Sequence, residues 1–340
     1  MNLDGLCRWL ATERGPLHRL RQRAAAQQRR VLLPEADDRR VRVAAAALVQ
    51  SGLAHPLLLR TAPGVPRIEP ELATILKAEH WLDPRDSAQS LQVAEHLLAR
   101  RRHRGLTQGQ SHVLARDPLH LAASLAALGK ADALVAGATW STARVARAVL
   151  WCLGVAPDAE LVSGAFLLLP PDSWQRCLMM ADCAVVTAPA AEQLVQIAQA
   201  TARSYHRLWF RWPSVALLSF STRGSADQPA ARKVATAARW LAEIQPDWQV
   251  VGEVQADAAL VPEVARTKGI DWGECGQAEV LIFPDLASAN IGQKLVERLG
   301  GWRAVGPLLQ GSRRPVCALS RGCSALDIVD AVTLAILTAG

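Results

Sequence analysis

Tyrosine, phenylalanine and methionine are scarce in this 340-residue chain, at 1, 4 and 3 residues. No apolar run approaches the roughly 18 residues that cross a bilayer, so no membrane association is expected. The opening Met-Asn-Leu-Asp-Gly-Leu-Cys-Arg lacks the basic-then-apolar order of a secretory signal, and a cytoplasmic location is expected. The 7 cysteines form no Cys-x-x-Cys pair, and their spacing fits no zinc site. Cys183 and Cys323 fall near turns of interest, but free cysteine is among the most buried residue types, and both are read as small reduced core side chains. A nucleic-acid face is also missing: the tryptophans are dispersed, and almost no Tyr or Phe is available to stack bases beside the basic residues. No nucleic-acid partner is expected.

What is present is an ordinary globular composition, 50% hydrophobic and 20% charged, with a formal net charge of +7. Arginine greatly outnumbers lysine, with dense runs at Arg19 to Arg30 and Arg100 to Arg104. A basic balance of this kind suits a pocket for phosphorylated substrates. The length is too great for one small core and suits two α/β lobes.

Along the chain, short apolar runs alternate with longer helical periods. Strands are expected at Val31 to Pro34, Pro56 to Arg60, Ala133 to Gly137, Leu161 to Leu169, Cys177 to Val186, Val215 to Phe220, Val250 to Val254, Val280 to Phe283, Val305 to Leu309 and Val316 to Leu319. Helices are expected at Asp37 to Gln50, Ser87 to His103, Asp117 to Leu128, Thr142 to Leu153, Ala190 to Arg207, Ala230 to Ile244, Val261 to Lys268, Asn290 to Leu299 and Ser324 to Thr338. Residues 61 to 86 carry Pro, Gly and short helical pieces. Strands alternating with helices imply mostly parallel sheets covered on both faces. In such folds ligands sit at the carboxyl ends of the strands, which directs attention to the strand-to-helix turns.

Two turns stand out. Gly137-Ala-Thr-Trp-Ser-Thr142 offers main-chain N–H groups, hydroxyls and a helix start, the parts of an anion cradle; Arg147 lies five residues on. Ser141 or Thr142 can equally be an ordinary N-cap. Leu319-Ser-Arg-Gly-Cys-Ser324 is the second turn. Ser320 and Arg321 can face a cleft, and Asp327 can be a general base or the partner of Ser324 in a capping box. The Arg100 to Arg104 run can turn one arginine inward towards an anion while the others stay solvated.

These turns belong to an ordered series of blocks that resembles the phosphate acetyltransferases, within the wider phosphate acetyl/butyryltransferase family. The series begins with Val31-Leu-Leu-Pro-Glu-Ala-Asp-Asp-Arg-Arg40 and continues through Arg101-Arg-His-Arg-Gly105, Ala131-Asp-Ala-Leu-Val-Ala-Gly137 and Leu161-Val-Ser-Gly-Ala-Phe166. It ends with Gly306-Pro-Leu-Leu-Gln-Gly311 and Leu319-Ser-Arg-Gly-Cys-Ser324. The resemblance implies an α/β protein of two doubly wound α/β/α lobes with an active-site cleft between them. The first lobe would comprise residues 1–158 and the returning segment 310–340, and the second residues 159–309.

It also implies a homodimer that moves an acetyl group reversibly between acetyl phosphate and coenzyme A, releasing acetyl-CoA and inorganic phosphate. Coenzyme A would be a substrate rather than a cofactor, and no metal would take part. Residue by residue, Asp327 falls on the family's general base, Ser320 and Arg321 on its active-site pair, and Arg147 and Arg101 on its anion-binding arginines. Ser141 and Thr142 fall in the substrate loop. The chain departs from the family at Cys317-Ala318, where Asn-Asp is usual, at Trp140, and at Arg144, where Asp is usual. A preference for propionyl or butyryl groups, or a non-catalytic acetyl-CoA-binding module, are the alternatives to acetyl transfer.

Overall fold

A computed structural model describes residues 2–59, 68–171, 176–273 and 276–339. Arg60, the expected end of the second strand, and the first part of the stretch after it lie outside the described residues. In chain order the strands are β1 (Arg30–Leu33), β2 (His55–Leu59), β3 (Trp81–Leu82), β4 (Ala133–Ala136), β5 (Ser163–Leu169), β6 (Leu178–Ala181), β7 (Val215–Leu218), β8 (Val250–Val254), β9 (Val280–Ile282), β10 (Arg303–Gln310) and β11 (Val316–Ala318). The chain divides into two compact units, Met1–Pro157 with Ser312–Gly340, and Asp158–Gly311.

The first unit carries the order β3-β2-β1-β4-β11. All its pairings are parallel, with Val31 opposite Ala133 and Ala318 opposite Ala136. Val31, Leu32 and Leu33 are all buried, as a strand covered on both faces requires. The order reverses between β1 and β4, the kind of switch point at which open α/β sheets place ligands. The helix Ala325–Leu337 is buried at every residue from Ile328 onward and packs against β4 and the helices Pro16–Ala25 and Arg39–Gln50. An all-round apolar sequence (Ile-Val-Asp-Ala-Val-Thr-Leu-Ala-Ile-Leu) forms such a central helix. The charge within this apolar stretch, Asp330, is met by the Arg21 guanidinium at 2.6 and 3.0 Å.

The second unit carries the order β10-β5-β6-β9-β7-β8. Strands β6, β9, β7 and β8 run parallel, whereas β5 is antiparallel to both β6 and β10. The strands are thus mostly parallel, as expected, with β5 the antiparallel exception. The link from β5 to β6 is shorter than the dozen or more residues a parallel crossover requires. The core packs Leu168, Met180, Leu218, Val254, Trp272 and Leu281 together, and the Trp272 indole N–H donates to the Ala258 carbonyl at 2.9 Å.

β6 stops at Ala181, short of the expected Val186. The buried Asp182 carboxylate accepts the N–H groups of Gly164, Ala184, Val185 and Val186 at 2.7–3.1 Å. The N–H groups of Ala184, Val185 and Val186 are thereby turned away from a strand ladder.

Candidate active site

Three turns follow the neighbouring parallel strands β1, β4 and β11 of the first unit. The turn after β4 makes its closest approach at Gly137, whose φ is +114°. A Cβ there would lie 2.9 Å from the Leu319 carbonyl oxygen, so both backbone conformation and space demand glycine. The Leu319 N–H donates to the Ala136 carbonyl at 2.8 Å, which holds the β4 and β11 turns side by side.

The N–H groups of the β4 turn converge on a carboxylate, and it is internal. Glu35 Oε2 accepts from Gly137 N and Ala138 N at 2.6 and 3.0 Å. Oε1 accepts from Thr139 N, Thr139 Oγ1 and Trp140 N at 2.6, 2.6 and 3.2 Å. The cradle anticipated here for an external anion is filled at its main chain by Glu35. Ser141 serves as N-cap, its hydroxyl accepting from Arg144 N at 3.3 Å, and Thr142 opens the helix Thr142–Cys152 half-buried.

The turn after β11 leaves Ser320 and Arg321 exposed. Asp327 forms the capping box: its Oδ2 accepts from Ser324 N and Oγ at 2.8 and 2.9 Å, and its own N–H donates to Ser324 Oγ at 3.2 Å. Cys323 is buried, and burial, the largest influence, pushes its thiol up to about 11, so it stays protonated at neutral pH and is a poor nucleophile. Burial likewise pushes the Cys183 thiol up. Cys317 and Ala318, two of the family departures, lie fully buried within β11.

Arg147 and Arg101 come together on one cavity of about 840 Å³, lined also by Arg104, Gln110, His120 and Trp151. That volume is in the range of small-molecule sites. Arg147 is exposed and makes no ion pair among the described residues. Arg101 is committed differently: its Nη2 and Nε donate to the Leu150 and Trp151 carbonyls at 2.6 and 3.2 Å, at the end of the helix that carries Arg147, where a cation is favourable. Arg144 adds less free charge than its sequence position suggests. It pairs with Asp117 at 3.0 Å and lies 5.0 Å from the Trp140 ring centre. Burial raises Asp117, but bonds from His120 and the Arg144 charge outweigh it and hold the carboxyl below its ordinary range.

Two side chains at the centre of this arrangement, Glu35 and Arg40, were not singled out from sequence, although both lie in the Pro34-Glu-Ala-Asp-Asp-Arg-Arg40 block. The available signal was positional: acidic and basic groups immediately after a buried strand. Among the described residues, no group of three or more His, Cys, Asp or Glu is placed to hold a metal ion.

A parallel α/β sheet with hydroxyl and guanidinium groups at its carboxyl edge marks a class of enzymes that handle small anionic substrates. Residues 17–336 match the family described as Phosphate acetyl/butaryl transferase, and the chain belongs to that family. A phosphate acetyltransferase of Paracoccus denitrificans is 39% identical over 324 residues, covering 94% of this chain and 98% of that protein. One from Clostridium acetobutylicum is 36% identical over 319 residues, covering 93% and 96%. The crystal structure of a phosphotransacetylase from Streptococcus pyogenes superposes with a TM-score of 0.85 at 34% identity, covering 95% and 98%.

Proposed function

We propose that this chain catalyses the reversible transfer of an acetyl group between acetyl phosphate and coenzyme A. The observation that carries this is the exposed Ser320-Arg321 pair, in the turn that leads from β11 into the helix bearing Asp327, in a chain that matches the acyltransferase family over residues 17–336. A free thiol has a pKa of about 8.5 and is mostly protonated at neutral pH. Asp327 takes that proton as sulfur attacks the acetyl carbon. Ser320 and Arg321 stabilise the negative charge that develops on the carbonyl oxygen and the departing phosphate. Arg147 and Arg101, with Ser141 and Thr142, hold the substrate phosphates. Both substrates are bound at once, so no acyl-enzyme forms, which accords with the buried, protonated Cys323 and Cys183.

The reaction draws on these side chains without a resident cofactor or metal. Met1–Pro157 with Ser312–Gly340 form the lobe that carries the site, and Asp158–Gly311 the second lobe. The protein works in the cytoplasm, where the six described cysteines, all free, remain reduced. It works as a homodimer. Ile291, Leu295 and Leu299 are 59%, 52% and 83% exposed and lie four residues apart on the helix Leu286–Leu299, an apolar stripe suited to a second copy. Coenzyme A-dependent thioester formation from acetyl phosphate tests the function. Turnover supports it, and binding of coenzyme A without turnover would make the chain a binding module instead.

A further inference from the structure

Arg40 uses its whole guanidinium on the turns just described. Nη1 donates to the main-chain carbonyls of Arg321 and Cys323, both at 2.8 Å. Nη2 donates to the Ala138 carbonyl at 2.9 Å and to Asp38 Oδ2 at 2.6 Å. Nε donates to Asp38 Oδ1 at 3.0 Å. All five N–H groups of an arginine are thereby engaged, on acceptors from three separate strand ends. Two of the three carbonyls flank Gly322 within the Ser320–Ser324 turn.

Asp38 anchors the fork in turn. It is the N-cap of the helix Arg39–Gln50, accepting from Arg40 N at 2.8 Å. Glu35, from the same β1 turn, gathers the N–H groups on the other side of the Ala138 peptide. The β4 turn is thus gripped from both sides, by an anion on its N–H groups and a cation on a carbonyl.

We infer that Arg40 is a positioning residue for the acyl transfer, setting the main chain that aims Ser320 and Arg321. The inference rests on the acetyl-transfer function proposed for the chain. In this role Arg40 acts through the carbonyls on either side of Gly322. Displacing that turn misaligns the Ser320 hydroxyl and the Arg321 guanidinium, and misplacement by about 1 Å costs about 100-fold in rate. Lysine has three donors on a point charge and cannot reproduce a five-bond planar fork.

The test is a double-variant cycle on the full chain, with kcat and KM for each substrate read for the wild type, Arg40→Gln, Arg321→Ala and the double variant. Arg40→Gln is expected to lose about 100-fold in kcat with KM for coenzyme A within about 3-fold, less than the tenfold that 1.4 kcal/mol represents. Residues acting as one unit are strongly non-additive, so adding Arg40→Gln to Arg321→Ala is expected to cost no more than about 5-fold further. Losses that simply multiply, or a raised KM at unchanged kcat, overturn the inference. Should Arg40→Gln fail to fold, Arg40→Lys carries the same cycle, with an expected loss of about tenfold that again shrinks in the Arg321→Ala background. A wild type that forms no thioester overturns the acetyl-transfer function and this inference together. An active wild type with additive variants overturns this inference alone.

Discussion

Asp327 meets the main chain of Ser324 and its hydroxyl through a single carboxylate oxygen, at a helix start where negative charge is favourable. That anchoring holds the proposed base in a fixed orientation. Asp327→Asn retains an acceptor for Ser324 but cannot take a proton. Its kcat is expected to fall by about 10²–10⁴-fold with coenzyme A affinity nearly unchanged, as steady-state kinetics and calorimetry would report. A kcat equal to wild type would reduce Asp327 to its capping role. Arg147 stands exposed on the cavity wall and makes no ion pair among the described residues. Since a hydrogen bond to a charged group is worth about 1.5–3 kcal/mol, Arg147→Ala is expected to raise KM for acetyl phosphate about tenfold or more. Unchanged KM values for both substrates would remove it from the site. Ser320, Arg321, Asp327 and Arg147 could be named as candidates from the sequence because they lie in or just after strand-to-helix turns that belong to the ordered series of family blocks. Glu35 and Arg40 could not, because their partners lie 102 and 281 residues away.

Secondary-structure elements follow the same division. The buried parallel strands and the long amphipathic helices were readable from apolar runs and helical periods. The two-residue β3 was too short to carry a pattern. The helix Gln108–Leu114 buries only Ser111 and so has no apolar stripe to show. The helix Pro16–Ala25 read as part of an arginine run. In fact it presents Leu17, Leu20, Arg21 and Ala24 inward, with Arg21 reaching Asp330 on the central C-terminal helix. This pair sits at 6% and 0% side-chain exposure. Glu13 also pairs with Arg21 at 3.0 Å, so removing Asp330 strips only part of the guanidinium's compensation, and Asp330→Ala is expected to lose about 1.5–3 kcal/mol of stability, the scale of a hydrogen bond to a charged group, in chemical denaturation. A loss below about 1 kcal/mol, the scale of a surface ion pair, would mean that Glu13 suffices to hold Arg21. The antiparallel placement of β5 and β10 could not be read from apolar runs, since buried strands of either direction look alike in sequence.

At the scale of the whole molecule, much of the arginine excess goes into internal ion pairs as well as the substrate cavity. Arg42 pairs with Glu69 at 2.9 Å, Arg176 with the fully buried Glu279 at 3.2 Å, and Arg211 with the same Glu279. The chain also returns: Ser312–Gly340 rejoins the first unit, bringing β11 and the Ser320-Arg321 turn beside β4. This assembly transfers acetyl groups between phosphate and coenzyme A. The most direct test follows thioester absorbance with coenzyme A and acetyl, propionyl or butyryl phosphate, varying both substrates. Turnover with acetyl phosphate as the preferred donor and intersecting initial-rate lines is the predicted result. Folded protein that binds coenzyme A yet forms no thioester with any of the three would contradict it.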